Sequence, residues 1–511
     1  MIDKKRYLVL HPFLFAIYPI LSLYSHNIVD TSLDETYIPT AISVSCCLVI
    51  LALLTMISKD IHKSGLLASL TVLLFFSYGL VYDAIQGTSI GSLEIGRHRF
   101  LLLAYATCLL TGVVVVVRIQ SRQRNVTSLL NIIAASLIVV TILGILKSGF
   151  SATPYASDRE SGVPGDWTDS RPSPGHRPDI YYIILDGYAG STILENMFGH
   201  DNQSFLDSLR DRGFLVQSHG RSNYAATSLS LASSLNMEYI NYLSDQVPAN
   251  SDDRTIPIEM IQRNQAMLFL KSRGYESIHF DSGWGTTRNN IYADLTIQCG
   301  QWSEFQIVLI NTTLLNVFSK YYIGEPLRER ILCMFSELAE IQHKTHAPRF
   351  VFAHIVAPHP PYVFGRNGEP IAESELKMNE AVYWKDRGAY IDQLVFINDK
   401  IEALLDTLLS ESTEPPIIIV QGDHGSSCTG GRRTEPTDML VRERMSILNA
   451  YYLPNQSNPS RYESITPVNT FRLILNDYLG ADFSLLEDVS YYSRADRLYN
   501  FTDVTHLLTE D

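Results

Sequence analysis

Long apolar runs dominate the chain up to residue 146 and then give way to mixed apolar and polar positions. A helix that spans a bilayer needs about 20 mostly apolar residues. Five runs approach that length, and their succession favours a helical membrane domain over the buried helices of a soluble protein. The runs are Tyr7–Tyr24, Tyr37–Ile57, Gly65–Ile85, Phe100–Val117 and Thr127–Leu146. Pro12 and Pro19 interrupt the first run and no small-residue cleavage site follows closely, so a cleaved signal peptide is not predicted.

Charged residues in the loops predict how the runs are oriented. Lys and Arg precede the first run and follow the second and fourth, which places them all on one side: Lys4, Lys5, Arg6, Lys59, Lys63, Arg118, Arg122 and Arg124. The alternate loops are acidic or mixed, with Asp30, Asp34, Glu35, Glu94, Arg97 and Arg99. Because Lys and Arg accumulate in cytoplasmic loops, the chain after Leu146 is predicted to lie outside the cytoplasm. The expected location is therefore the plasma (inner) membrane, with several passes.

The pattern changes twice after the apolar runs. Between Ser148 and Arg177, Ser, Pro, Gly and Asp predominate without apolar periodicity, which predicts a linker. From Pro178, short β-branched and aromatic runs alternate with helical patterns, and the predicted strands are Asp179–Leu185, Arg349–Val356 and Pro416–Val420. This alternation predicts an α/β domain with a mostly parallel sheet covered on both faces. The predicted domains are transmembrane (1–147), linker (148–177) and extracytoplasmic catalytic (178–511).

Composition and charge exclude some classes of function. The net charge of −14 argues against a nucleic-acid partner, because phosphate binding needs clustered Lys and Arg. No C-x-x-C or Cys/His finger spacing occurs, so a structural zinc site is not expected. The later domain has three cysteines, which allow at most one disulfide, and Cys299–Cys333 is one candidate pairing.

Polar residues stand where the predicted strands end. In parallel α/β sheets, ligands bind beyond the carboxyl ends of the strands. Asp186 follows the first strand, although an Asp-Gly pair taken alone is more typical of a turn. His359 follows the second strand and His354 lies within it, and histidines of this kind are more often packing or surface residues.

Two further signals are harder to explain by packing alone. Asp423 and His424 follow four β-branched residues and the intervening Gln421-Gly422, and two adjacent metal-ligating residue types at a strand exit indicate half of a divalent-metal site. The stretch Ser222–Asn236 begins a predicted helix with small hydroxyl residues. Thr227 or Ser228 could simply cap that helix. A hydroxyl there also suits a nucleophile, because the helix dipole favours an alkoxide and an anionic substrate and a metal would activate it further.

Four short motifs occur in a recognisable order: PDIYYIILDGY, NYAATSLSLASSL, a strand ending in APHPPY, and IIIVQGDHGS. This succession resembles the sulfatase-like branch of the alkaline phosphatase superfamily. It is particularly similar to membrane enzymes such as lipoteichoic acid synthases and lipid A phosphoethanolamine transferases, which join N-terminal spans to an outside catalytic domain. The resemblance covers roughly Asp179 to Pro454, together with the architecture of the anchor.

The resemblance implies residue roles and one divalent metal ion, which could be Mn²⁺, Mg²⁺ or Zn²⁺. The implied metal ligands are Asp186, Thr227, Asp423 and His424. Thr227 is also the implied nucleophile, with Ser228 as the alternative in register. His359 would bind phosphate or protonate a leaving group, and it ranks above His354 as a substrate-binding residue.

One departure from the family narrows the expected chemistry. Sulfatases need a Cys or Ser in a C/S-x-P-x-R motif, whereas this chain has Thr227 followed by Ser-Leu-Ser-Leu. Two-metal relatives need a further Asp/His set, for which Asp281, Asp392 and Asp399 are candidates, although turn or helix-surface roles fit these residues better, and whether a second metal binds stays open. The implied function is transfer of a phosphoglycerol or phosphoethanolamine headgroup from a membrane lipid to a cell-surface glycan or glycolipid. The alternatives are a phosphodiesterase or other sulfatase-like hydrolase, and a non-catalytic membrane scaffold.

Overall fold

The computed structural model contains two compact units: Met1–Thr153 with Trp302–Tyr322, and Pro154–Gln301 with Ile323–Asp511. It describes residues 8–28, 31–90, 93–118, 123–151, 177–300, 302–318, 324–345, 348–371, 384–433, 435–455, 462–463 and 465–508. The α-helices are α1 (His11–His26), α2 (Tyr37–Ser58), α3 (Ile61–Ile85), α4 (His98–Arg118), α5 (Gln123–Ser151), α6 (Ser191–Phe198), α7 (Gln203–Asp211), α8 (Thr227–Asn236), α9 (Thr255–Gln262), α10 (Gln265–Ser272), α11 (Glu304–Thr312), α12 (Gly324–Lys344), α13 (Arg387–Glu411), α14 (Asp438–Met445) and α15 (Pro467–Leu479). The strands are β1 (Ser89–Ile90), β2 (Leu93–Glu94), β3 (Ile180–Leu185), β4 (Leu215–Val216), β5 (Glu276–Asp281), β6 (Leu295–Gln298), β7 (Arg349–Ile355), β8 (Ile417–Gly422), β9 (Asn449–Tyr452), β10 (Tyr491–Arg494) and β11 (Arg497–Asp503).

Four helices in the described part of the first unit are long and apolar enough to cross a membrane: Leu33–Ser58, Ile61–Ile85, His98–Arg118 and Gln123–Lys147. Large apolar side chains on them point away from the protein, as for Ile57 (80% exposed) and Leu103 (68%). Water solvates such a surface poorly, whereas lipid chains are as apolar as the side chains themselves. These helices therefore agree with four of the five predicted spans.

The first predicted run differs from the other four. It folds as α1, which has 16 residues and contains Pro19, and it begins at His11 because Tyr7 lies outside the described residues. Sixteen residues rise about 24 Å, less than the roughly 30 Å of a bilayer core. Phe15 and Ile20 are buried in the apolar interior of the first unit. The predicted count of five spans is therefore not confirmed by the described helices.

Domain boundaries also differ in detail from those expected. Helix α5 continues to Ser151, past the predicted start of the linker at Ser148, and residues 152–176 of that linker lie outside the described residues. Residues 302–318, which the sequence-based division assigns to the later domain, belong to the first unit. They comprise α11 and a 3-10 turn at Leu314–Phe318.

A seven-stranded sheet organises the second unit, in the order β4-β9-β8-β3-β7-β5-β6. Strand β3 pairs in parallel with β7 on one side and β8 on the other, while β9 is antiparallel to both of its neighbours. The mostly parallel sheet predicted from the sequence is confirmed. Leu185 is level with Ile355 of β7 and with Gly422 of β8, so the carboxyl ends of the three central strands lie side by side.

Both faces of the sheet are covered, as its uninterrupted apolar strands require. Along β3, alternate side chains enter two different cores: Tyr181, Ile183 and Leu185 join one, and Ile180, Tyr182 and Ile184 join the other. Helices α12 and α13 contribute to the first core and α8, α10 and α15 to the second. Cys299, directly after β6, forms a disulfide with Cys333 in α12, which is the candidate pairing considered from the sequence.

Candidate active site

Three central strands bring the predicted acidic and imidazole residues together. Asp186 directly follows β3, and Asp423 and His424 directly follow β8. His354 is the next-to-last residue of β7 and pairs in register with Ile184. Because the strands are parallel and end at the same level, residues far apart in the sequence meet at one edge of the sheet.

These side chains form a compact group of potential ligands. Carboxylate oxygens of Asp186 and Asp423 and a ring nitrogen of His354 all lie within 4.8 Å of one another. Each of the three residues is at most 1% exposed. His424 Nε2 lies 3.2 Å from Asp423 Oδ2 and 3.6 Å from Asp186 Oδ1. Two carboxylates that face each other away from water are unfavourable unless a cation or a proton is shared between them.

The pKa values of these groups reflect the repulsion between the two buried carboxylates. Burial and the charge of Asp186 raise the pKa of Asp423 to about 6. Burial would also raise the pKa of Asp186, but the neighbouring histidines, His359 foremost, outweigh it and hold the pKa of Asp186 below its ordinary value. Burial and the adjacent Arg444 hold the pKa of His424 well below its ordinary value, which keeps its imidazole neutral. A neutral imidazole beside carboxylates is the state in which these groups bind a metal.

Thr227 is the first residue of α8 and points toward this group. The cap position is Ala226, whose side chain makes no capping hydrogen bond, so Thr227 does not cap the helix. Its Oγ1 lies 3.0 Å from His424 Nε2. His424 Nδ1 lies 2.9 Å from the Gly425 carbonyl, to which it donates, so Nε2 carries the lone pair. Thr227 therefore lies at the positive end of a helix dipole, within hydrogen-bonding distance of His424.

The two histidines of the β7 region have different surroundings. His354 is fully buried, its Nδ1 lies 2.6 Å from Thr287 Oγ1, and its Nε2 lies 3.5 Å from Asp186 Oδ2. His359 is half-buried after the strand exit, with its ring 6.4 Å from the His424 ring and packed edge-on against Trp384. The sequence assigned both to substrate binding, whereas the geometry adds His354 to the potential metal ligands.

Sequence reasoning overlooked Arg444 and Glu443, two buried charged residues of α14. Arg444 donates from Nη2 to His424 Nε2 at 2.8 Å and from Nε to the Ala225 carbonyl at 2.8 Å. Glu443 accepts hydrogen bonds from the Ser426 hydroxyl and from Thr429, which fixes the loop after His424. Both stand in a short polar helix with no strand exit or motif nearby, so only the tertiary fold reveals them.

The residues present fit a divalent cation. Asp186 Oδ1, Asp423 Oδ2 and His354 Nε2 are buried and lack a hydrogen-bond partner within the described part of the chain. Leaving three such atoms unpaired is costly, and a cation would satisfy all of them at once. Carboxylate oxygens together with imidazole nitrogens are ligands for Zn²⁺ and also suit Mn²⁺.

The fold and the site together define a class: α/β proteins with a buried cluster of potential metal ligands and a threonine hydroxyl beyond the carboxyl ends of a parallel sheet. The sulfatase family model matches residues 178–471. The chain belongs to the sulfatase family, and this confirms the superfamily resemblance found in the motifs.

Several solved structures are similar to the chain at low identity. One is the integral membrane lipooligosaccharide phosphoethanolamine transferase A (EptA) of Neisseria meningitidis, at 13% identity over 97% of this chain and 95% of that one, with a TM-score of 0.36. Another is the periplasmic domain of EptC from Escherichia coli in complex with Zn, at 10% over 65% and 94%, with a TM-score of 0.43. A third is the lipoteichoic acid synthase LtaP of Listeria monocytogenes, at 12% over 65% and 83%, with a TM-score of 0.40. No curated protein is similar enough to count as a match.

Proposed function

We propose that the chain is a metal-dependent transferase that moves a phosphoglycerol or phosphoethanolamine headgroup from a membrane lipid to a cell-envelope glycan or glycolipid. One observation carries the proposal: the Thr227 hydroxyl lies 3.0 Å from His424 Nε2 at the start of a helix, beside two buried carboxylates. The lack of a C/S-x-P-x-R motif favours phosphoesters over sulfate esters as substrates.

One divalent cation would be held by Asp186, Thr227, Asp423 and His424, and the position of His354 supports it as a further ligand. When bound, such a cation lowers the pKa of a neighbouring hydroxyl and offsets negative charge on phosphoryl oxygens. The donor atoms are compatible with Mn²⁺, Mg²⁺ and Zn²⁺ alike.

The reaction consists of two in-line displacements at phosphorus. In the first, deprotonated Thr227 Oγ1 forms a bond to phosphorus, the bond from phosphorus to the lipid alcohol breaks, and the alcohol takes a proton from His359. In the second, an acceptor hydroxyl gives its proton to the same imidazole, attacks phosphorus and releases Thr227. His359 suits this role because it is half-buried and faces His424 across 6.4 Å between ring centres.

The membrane helices give the reaction its location. The four long apolar helices, with α1 proposed as a fifth span despite its 16 residues, would place the catalytic domain on the extracytoplasmic side. Residues 1–147 would form the anchor, 148–177 the linker and 178–511 the catalytic domain, apart from the segment around 302–318 that belongs to the first unit. An anchor of this size suits a donor whose headgroup lies at the bilayer surface. Because the net charge is −14, no nucleic-acid partner is expected.

The test is intact-mass analysis of the full chain after incubation with bacterial lipids and Mn²⁺. Wild type should carry an adduct of headgroup mass, and Thr227→Ala should not, whereas Ser228→Ala serves as the matched control and should keep it. An adduct that survives in Thr227→Ala would show that the nucleophile is another residue. Product that forms equally well without any acceptor would identify a hydrolase. Absence of metal binding and of turnover together would favour a scaffold.

A further inference from the structure

A charge-free segment leaves the catalytic sequence and joins the membrane unit. It runs from Phe305 to Phe318 (FQIVLINTTLLNVF) and contains no Asp, Glu, Lys or Arg. The segment comprises all of α11 except its first residue, Glu304, and continues into the 3-10 turn Leu314–Phe318. At 14 residues it is too short to cross a bilayer, which takes about 20. A segment of this length and composition is instead typical of a buried or an interfacial helix.

One side of the segment is buried among the membrane helices. Phe305 and Leu309, 4% and 6% exposed, join the apolar cluster that includes Val72 and Phe76 of α3. The contact is closest at Gly79, where an added Cβ would lie only 1.8 Å from the Asn311 carbonyl oxygen. The absence of a side chain at Gly79 is therefore what permits the backbone of the segment to rest on α3.

The contact at Gly79 indicates how deep the segment lies in the membrane. Gly79 precedes the end of α3 at Ile85 by six residues, which corresponds to about 9 Å along the helix. Lys59 precedes α3 and Lys63 lies in its first turn, so the charge pattern places the carboxyl end of α3 at the outer surface. Interfacial helices bury their apolar face roughly 5–10 Å into the boundary between headgroups and acyl chains. The segment therefore lies at that boundary.

Large apolar side chains are exposed at the carboxyl end of the segment and shortly before its amino end. Leu315 is 42% exposed and Phe318 54% exposed, and Trp302, three residues before the segment begins at Phe305, is 42% exposed. Exposed apolar side chains on a charge-free segment are disfavoured in water. They are favoured in the outer leaflet, where Trp in particular concentrates at the interface.

A disulfide closes the loop that contains the segment. The chain leaves the second unit at Gln301 and returns at Ile323. Cys299, two residues before the first point, forms a disulfide with Cys333, ten residues after the second, and both cysteines belong to the second unit. The bond joins the outgoing and the returning chain, so the segment is part of a loop that the disulfide closes. Within this loop, Asn311 contacts Gly79 of α3.

We propose that residues 302–318 form an interfacial anchor that inserts into the outer leaflet and contacts phospholipid directly. The anchor ties the catalytic unit to the layer in which a lipid donor would present its headgroup. The proposal rests on the outward orientation given under the proposed function, but lipid contact by the segment does not depend on any catalytic step.

Photo-crosslinking tests the anchor in the full chain, reconstituted in phospholipid nanodiscs. Phe318 is replaced by p-benzoylphenylalanine. The reconstituted variant is then irradiated and analysed by mass spectrometry for phospholipid adducts. Leu103, exposed on α4, is the positive control, and Leu485, 45% exposed in the second unit, is the matched negative control. Position 318 should give lipid adducts at a level near that of position 103 and at least tenfold above position 485. Adducts at 103 but none at 318, or cross-links from 318 to a second copy of the chain, would overturn the proposal.

A substitution at the contact with α3 provides a second measurement. Gly79→Ala should reduce the lipid adducts at position 318, because the new methyl group would displace the Asn311 backbone. Gly144→Ala in α5 is the matched control, since a Cβ there meets no described atom within 4 Å. Unchanged adducts in Gly79→Ala would show that the close contact does not hold the segment. Loss of transfer activity with normal adducts would count against the proposed chemistry and leave the anchor intact.

Discussion

Replacing Asp423 by Asn should make the metal-free protein more stable and the metal-loaded protein less so. The ligand atoms of Asp423 and Asp186 lie within 4.8 Å of each other, and both residues are about 1% exposed. Two like charges about 5 Å apart repel by roughly 3 kcal/mol at an effective dielectric constant of about 20. Asn removes one of the charges and keeps an oxygen that can accept the Gly187 N–H, which Asp423 Oδ1 accepts at 3.0 Å.

The assay is calorimetric unfolding of the full chain in detergent at pH 8, with and without Mn²⁺. For a domain of this size about 1 kcal/mol corresponds to roughly 2 °C, so metal-free Asp423→Asn should melt several degrees above metal-free wild type. Saturating Mn²⁺ should stabilise wild type by about 2.7 kcal/mol at one hundred times its Kd and should stabilise the variant far less. Asp294→Asn is the control of opposite sign, because Asp294 accepts from Lys271 Nζ at 2.7 Å and from the Ser277 N–H at 2.9 Å and loss of its charge should destabilise.

The pH dependence follows from the raised pKa of Asp423, about 6. A carboxyl whose pKa is higher in the folded state than in the unfolded state destabilises the fold above the folded-state pKa. This penalty disappears as the pH falls through about 6 toward the ordinary value. The difference between metal-free wild type and Asp423→Asn should therefore shrink between pH 8 and pH 5. The contradicting results are that metal-free Asp423→Asn melts below metal-free wild type at pH 8, or that Mn²⁺ stabilises the variant as much as it stabilises wild type. Either result would show that the two carboxylates do not form one metal site.

Three further outcomes are expected. Thr227→Ala should lower headgroup transfer by roughly 10⁴-fold or more, as loss of a covalent nucleophile does, while Ser228→Ala stays close to wild type in the same assay with labelled lipid. Replacing both Cys299 and Cys333 by Ala should destabilise the second unit by about 4 kcal/mol in chemical unfolding, because the bond closes a loop with a sequence separation of 34. Glu443→Gln should cost about 1–3 kcal/mol and increase hydrogen exchange at residues 426–429, since it weakens a buried acceptor of several hydrogen bonds.

The sequence predicted the parts of the site that local patterns determine. The β-branched runs before Asp186 and Asp423 showed where strands end, and parallel strands place their ends at one edge. The hydroxyl-rich start of α8 indicated Thr227, but whether it caps the helix depends on backbone angles at Ala226 that the residue types leave open. His354 was ranked below His359 because it lies inside a strand. Its next-to-last position is nevertheless close enough to the edge for Nε2 to reach Asp186.

Features that depend on tertiary packing escaped prediction. Arg444 reaches His424 from a helix that begins 14 residues after it, and nothing in the local sequence distinguishes this arginine from a surface residue. The segment from Phe305 to Phe318 is shorter than a span, and its composition equally fits a helix in the core of a soluble domain. Its position beside Gly79 follows from the tertiary packing of α11 against α3, which the local sequence does not reveal.

The order of the strands in the sheet has a consequence for how the enzyme matures. Gly187 and Asp423 are 236 positions apart in the sequence, yet they share a hydrogen bond across neighbouring strands. In the orientation proposed for this domain, the first half of the site would be exported and would stay incomplete until β8 has followed it across the membrane. Contacts of such long range also form slowly. Loading of the proposed cation would then be one of the last steps of biogenesis, and a chain truncated before β8 would lack Asp423 and His424, two of its proposed ligands.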